Sequence, residues 1–272
     1  MYLLWLLFIL TFINNCKTYD YMYSEYIVNL AQATYCVDTF EWECYTCISS
    51  FQLCNIIENR GIKLLLGFDD VSGYIFIAFR GSSNIENWIQ NMKFQQISPW
   101  NNTIMVDKGF YEDYEFIKEP LFDSLYEISK LYNTTDIVIT GHSLGSALST
   151  IVGYEISKYY NYSVKYLITF GSPRVGNKDF IQDFNNIIKN NNINSYRITH
   201  ANDMIPHLPQ NFMNYYHITN EIWYNEPSSE YIICKDEYYE DIECADSCAP
   251  YNCISISNHL YYLNTSFGGD YC

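Results

Sequence analysis

Apolar and polar positions alternate along the chain with two different periods, and these periods predict its elements. From Tyr21, "YMYSEYIVNLAQATYC" places Tyr23, Tyr26, Ile27 and Leu30 at helical spacing, which predicts a first helix followed by a Cys-dense connector. "GIKLLLGFDD" and "SGYIFIAFRGSS" are apolar, partly β-branched runs joined by Asp69-Asp70-Val71-Ser72-Gly73, the chemistry of a tight turn; they predict a hairpin of two central strands. Helical periodicity then runs from Asp107 to Tyr132, followed by the strand "IVIT" and a helix whose face carries Leu144, Ala147, Leu148, Ile151 and Val152. "VKYLITFGSPRVGN" predicts a strand ending at a turn. A helix around Phe180 to Ile188 follows, then the strand "INSYRITHAND" and later strands near 216–224, including His217, and 230–234. Strands alternating with helices predict an α/β protein with a largely parallel sheet covered on both faces and a hairpin near its beginning. No linker or internal repeat divides the chain, and its 272 residues suit a single domain.

Composition narrows the partners. An apolar fraction of 49% can fill such a core. A net charge of −16 argues against nucleic acid, whose phosphates need clustered Lys and Arg, and against anionic membranes. A lipid surface, if met, is expected to be neutral or zwitterionic. The opening "MYLLWLLFILTFINN" is apolar only from Tyr2 to Ile13, short for a membrane span of roughly 20 residues, and reads as a signal peptide over about residues 1–16. Against that reading, no Lys or Arg precedes the apolar run, and no small-x-small cleavage pattern surrounds Cys16. Ten cysteines and four N-x-S/T sequons at Asn101, Asn133, Asn161 and Asn264 agree with export.

The candidate chemistry lies in Gly141-His142-Ser143-Leu144-Gly145, between a buried strand and an amphipathic helix. A serine hydroxyl is a weak nucleophile and needs a base, an acid to orient the base and a site for the oxyanion. G-x-S-x-G at a sharp strand-to-helix turn projects the serine; the competing reading is a structural serine at a helix N-terminus. In this arrangement the acid and then the histidine follow the serine along the chain. Asp203, just beyond the strand "SYRIT", is the candidate acid, against a turn aspartate capping its own backbone. His259, in "SISNHLYYL" at the head of a short helical stretch, is the preferred base over His207 and His217. His142 shares the tight turn with Ser143 and reads as a packed histidine.

With these residues together, the chain resembles the fungal-type class 3 lipase family, of α/β-hydrolase fold, from about Tyr21 to Cys272. "IAFRGSSNIENWIQN", "VDKGFYEDY", "IVITGHSLGSALS", "FGSPRVGN", "HANDMIPHLP" and "NHLYYL" carry the resemblance in the family's order. It implies Ser143 as nucleophile, Asp203 as orienting acid and His259 as general base and acid. Ser82 and the backbone N–H of Leu144 would form the oxyanion hole. "SNIENWIQNMKF" matches the family's lid, with Ile85, Trp88, Ile89 and Met92 on one apolar face, against an ordinary surface helix of the same period.

The resemblance also implies disulfides Cys36–Cys272, Cys44–Cys47 and Cys234–Cys244, leaving Cys248 and Cys253 to pair locally. Zinc at Cys44-x-x-Cys47 would need a second ligand pair, so no metal and no cofactor is expected. Cys54 is then odd, unless it pairs with Cys44 or Cys47. Ser146 and Ser172 depart from residues frequent in relatives. The implied function is a monomeric, exported serine carboxylester hydrolase. A triacylglycerol lipase working at lipid–water interfaces, outside the cell or in a digestive vacuole, is expected first. A soluble feruloyl or short-chain esterase, a phospholipase, and a non-catalytic lipid-binding protein on the same scaffold are the alternatives.

Overall fold

The computed structural model describes residues 19–38, 40–225, 230–235, 240–249 and 251–272; the expected leader over 1–16 lies outside the described residues. Helix α1 (Tyr21–Cys36) starts where Asp20 Oδ1 accepts the Tyr23 amide at 3.0 Å. The chain continues through β1 (Phe51–Asn59), β2 (Ile62–Asp69), β3 (Tyr74–Phe79) and the short helix α2 (Ile85–Asn91). A two-residue pair, β4 (Gln96–Ile97) and β5 (Val106–Asp107), leads to α3 (Lys108–Tyr132). Then β6 (Asp136–His142), α4 (Leu144–Tyr159), β7 (Ser163–Phe170), α5 (Lys178–Asn190) and β8 (Asn194–His200) alternate. β9 (Glu221–Tyr224), β10 (Tyr231–Ile233), α6 (Ile256–His259) and the hairpin β11 (Tyr261–Tyr262) and β12 (Thr265–Ser266) follow.

Eight strands form one sheet in the order β1-β2-β3-β6-β7-β8-β9-β10. The centre, from β3 to β9, is parallel, and the pairs β1–β2, β2–β3 and β9–β10 are antiparallel. Side chains of β3 divide between two cores, Ile75, Ile77 and Phe79 on one face and Phe76 and Ala78 on the other. That split follows from the period-2 pleat. Helices α3 and α4 cover the first face, with α5 packed beside α4, and α1 covers the second. The expected α/β architecture and the β2–β3 hairpin agree with this arrangement.

Three expectations need correction. The connector after α1 includes β1, which sequence pattern missed because Asn55 and Glu58 interrupt its apolar positions and a bulge at Leu53/Asn55 breaks the alternation. His217 is not in a strand: β9 begins at Glu221, and this stretch makes only a bridge from Tyr216 to Gly176. His259 closes α6 instead of opening it, because Ser255 caps the helix by accepting the Asn258 amide.

All four expected disulfides are present: Cys36–Cys272, Cys44–Cys47, Cys234–Cys244 and Cys248–Cys253, with Cys54 a free thiol on β1. Among the described residues no helix is long and apolar enough to cross a membrane.

Candidate active site

Ser143 sits between the carboxyl end of β6 and the first residue of α4, with φ 57° and ψ −125°. A left-handed conformation is unfavourable for any residue with a Cβ and persists only where its surroundings enforce it. The enforcement is visible on both sides: a Cβ on Gly145 would strike the Phe79 carbonyl, and one on Gly141 would strike the Gly145 carbonyl. Ser146, the departure from relatives noted above, ties the same turn down. Its Oγ lies 2.6 Å from the Gly141 carbonyl, to which it donates, and accepts the Phe170 amide at 3.2 Å.

Asp203 lies in the loop after β8. One oxygen accepts the Ile205 amide at 2.8 Å; the other accepts from His259 Nδ1 at 2.8 Å and from the Tyr262 hydroxyl. The loop and α6 are joined where Ser255 N–H donates to the Asn202 carbonyl at 3.0 Å, so the acid and the histidine share one support. Because the carboxylate accepts from Nδ1, neutral His259 keeps its lone pair on Nε2. That atom and Ser143 Oγ are both buried and have no hydrogen-bond partner. Other buried polar atoms of the described residues share that status; what sets these two apart is the Asp203 carboxylate that orients the His259 ring. The serine–histidine bond of such sites often tightens only when substrate is bound.

The other histidines have different engagements. His207 Nδ1 lies 3.3 Å from Asp246 Oδ1, and His217 Nε2 donates to the Pro206 carbonyl at 2.7 Å. Burial holds His217 well below the ordinary imidazole range, which agrees with a neutral donor. His142 is packed as expected, its ring stacked on Phe267 at 3.9 Å.

The candidate oxyanion donors are only partly arranged. Leu144 is the first residue of α4, so its N–H has no acceptor within the helix. Ser82 Oγ instead lies 3.1 Å from the Asn84 carbonyl, to which it donates. Asn84 in turn caps α2 through its side chain. Helix α2 is shorter than the expected apolar face, because Met92 is its C-cap. Trp88 stacks on Phe110 at 6.2 Å, and Ile85 and Ile89 are half-buried. Trp88, Met92, Phe94, Phe110 and Asp113 line a cavity of about 500 Å³ between α2 and the start of α3.

The model of the family described as lipase (class 3) matches residues 76–213, just over half of the chain. The chain belongs to the class 3 lipase family. It is similar to a lipase of Rhizomucor miehei, 28% identical over 256 residues, covering 89% of this chain and 68% of that protein. It is also similar to the secreted mono- and diacylglycerol lipase 1 of Fusarium solani, 30% identical over 213 residues, covering 75% of this chain and 61% of the relative. A solved triacylglycerol lipase whose catalytic centre is described as a serine protease triad superposes with a TM-score of 0.78. It is 27% identical, over 91% of this chain and 96% of that one. The resemblance drawn from six motifs is thereby borne out for both family and fold.

Tyr262 and Tyr35 are site neighbours that sequence reasoning passed over, and Ser146, noted there only as a departure from relatives, braces the turn. Tyr262 stood within a quoted motif, "NHLYYL", three positions after His259, the only available signal.

Proposed function

We propose that the protein is a serine carboxylester hydrolase, a lipase acting on acylglycerols at lipid–water interfaces through an acyl-enzyme. Ser143 Oγ attacks the ester carbonyl carbon while its proton passes to His259 Nε2. Asp203 holds the ring in the required tautomer and stabilises the imidazolium. The N–H of Leu144 and the hydroxyl of Ser82, once it leaves Asn84, meet the oxyanion. Collapse releases the alcohol with the proton from His259, and a water activated by His259 then frees the fatty acid. The observation that carries this reading is the buried pair of unpartnered atoms, Ser143 Oγ and His259 Nε2, beside an Asp203 bonded to the far ring nitrogen.

Helix α2 serves as the lid, its Ile85, Trp88, Ile89 and Met92 side turning from the core to lipid as the helix moves. No residue of α2 is fully buried, which supports an element that separates from the body at small cost. The chain works as an exported monomer on a neutral or zwitterionic lipid surface. Four disulfides and the exposure of Asn101, Asn133, Asn161 and Asn264 as glycosylation sites support that route, ending outside the cell or in a digestive vacuole.

A soluble esterase using the same Ser143, Asp203 and His259 is the second reading, because the triad serves either substrate class. Rates on short- and long-chain esters, below and above their solubility limits, separate the two. The lipase reading expects a rate jump when an interface forms; a smooth saturation curve with preference for short chains supports the esterase. Ser143→Ala is expected to abolish hydrolysis of every ester, and full activity in that variant would end both readings.

A further inference from the structure

Tyr35, near the end of α1, meets parts of three elements. Its hydroxyl lies 2.7 Å from His142 Nδ1 and accepts the backbone N–H of Gly81. Gly81 sits between β3 and Ser82 and admits this approach only because it lacks a side chain: a Cβ there would strike both Tyr35 Oη and the His142 carbonyl. On its other side, His142 Nε2 lies 2.8 Å from the backbone carbonyl of His259. These contacts fix the direction of every proton. A carbonyl only accepts, so Nε2 carries the hydrogen; the neutral ring then offers a lone pair at Nδ1, and Tyr35 must donate to it. Tyr35 is left with oxygen lone pairs for Gly81. Burial and the nearby His259 hold His142 well below the ordinary imidazole range, so the ring is neutral. Stacking on Phe267, with the planes 6° apart, fixes the ring itself.

We infer that Tyr35 and His142 are positioning residues, a relay from the Gly81 amide through the Tyr35 hydroxyl and the His142 ring to the His259 carbonyl. It rests on the functional reading above. The relay spans Ser143, joining the loop that carries Ser82 to the backbone of the base itself. The side chain of His259 is already oriented by Asp203; the relay fixes where its Cα stands relative to the serine and to the oxyanion loop. Attack needs both distances correct at once, and a shift of about 1 Å at such a site can cost on the order of a hundredfold in rate. Apart from the relay, α6 is held at the site by the Asp203 loop and by His200 at the end of β8, whose Nδ1 lies 3.1 Å from the Asn258 carbonyl. His142 therefore does more than fill space, although it touches neither substrate nor reacting atoms.

The test compares kcat and KM of the full chain on a water-soluble short-chain p-nitrophenyl ester, where no interface is involved. The variants are Tyr35→Phe, His142→Gln and His142→Phe, each accompanied by a thermal unfolding curve. Tyr35→Phe removes one oxygen and is expected to lower kcat about tenfold, the loss of one well-placed hydrogen bond, with KM little changed. His142→Phe keeps an aromatic ring over Phe267 but removes both polar ends, and kcat should fall about a hundredfold. Glutamine can present an amide N–H to the His259 carbonyl and an amide oxygen to Tyr35, so His142→Gln should recover much of what phenylalanine loses. A Tyr35→Phe enzyme with kcat within about twofold of the parent would overturn the relay, as would equal losses in the two His142 variants. Should His142→Phe fail to fold, Tyr35→Phe decides alone. A parent that hydrolyses none of the esters would remove the functional reading and the relay with it; an active parent with an unchanged Tyr35→Phe removes only the relay.

Discussion

Helices α2 and α4 both stand beside the candidate site, and they are built in opposite ways. In α4, every residue from Leu144 to Ile156 is buried, and its first turn is wedged against Phe79 and Phe170 by a strained serine and a bonded Ser146. In α2 no residue is fully buried, and the helix is held by one side-chain cap, the Trp88–Phe110 stack and partial packing of Met92. The difference separates two physical demands. Groups that react must stand within a fraction of an ångström of their working positions, which needs dense packing and completed hydrogen bonds. A cover over an apolar cleft must come away, which needs few apolar contacts and a small opening free energy. Ser82 lies at the junction, bonded to Asn84 of the cap although its proposed role belongs to the packed side. In the proposed function, opening α2 and completing the oxyanion hole would be coupled through this bond.

The largest effect that would break this comparison lies on the packed side. Asp203→Asn is expected to lower kcat about 10³- to 10⁴-fold on soluble and emulsified esters alike, because an amide permits the wrong ring tautomer of His259. Its thermal midpoint should stay close to the parent's, since Asn can still accept the Ile205 amide. Ser82→Ala should lower kcat about 10²- to 10³-fold on both substrate forms, the loss of one oxyanion donor. A loss confined to emulsions would instead assign Ser82 to the cap alone.

Effects on the loosely held side should be smaller and should depend on substrate form. Trp88→Ala removes the stack on Phe110, worth about 0.5–1.5 kcal/mol, and so shifts the population toward the open form. The rate on dissolved monomeric ester should rise about 2- to 10-fold, and the jump on adding an interface should shrink accordingly. An unchanged ratio would mean that α2 does not gate access.

The smallest effect concerns Asp113 in the cavity wall, whose carboxyl is raised to about 6, chiefly by burial and then by Glu112 and Asp107. A raised pKa means the folded state holds the proton more tightly than the unfolded chain. The associated stability is complete below the ordinary carboxylate range and is lost as pH rises through about 6. Asp113→Asn should therefore stabilise the protein at pH 7 by about 1 kcal/mol, allowing for partial exposure, and the gain should vanish near pH 4. Urea midpoints at the two pH values check it, and a gain of equal size at both would contradict the burial account.

Much of the fold was legible in the sequence because its centre is regular. β3, β6 and β7 are continuous apolar runs, as strands covered on both faces must be, and α3 and α4 keep clean helical stripes. The edges were less legible. β1 needs only part of its length to face the core, so its pattern is mixed, and the β11–β12 hairpin turns through Leu263 and Asn264 at positive φ without a glycine to announce it. At the site, Ser143 was legible from its own neighbours, whereas Asp203 and His259 needed chain order and the family's motifs. The Tyr35–His142 contact joins residues 107 positions apart, and nothing local to either residue reports it. The pattern next to Ser143 suggested only that His142 is packed, which it is; its two polar partners emerge only with the fold.

The central claim is that Ser143 is the nucleophile, activated by His259. The most direct measurement is peptide mapping by mass spectrometry after reaction of the folded, full chain with a fluorophosphonate. A single adduct on the peptide that contains Ser143, absent in His259→Ala and in Ser143→Ala, is the predicted result. An adduct on another residue that persists in both variants, or full ester hydrolysis by a protein that takes no label, would contradict the account.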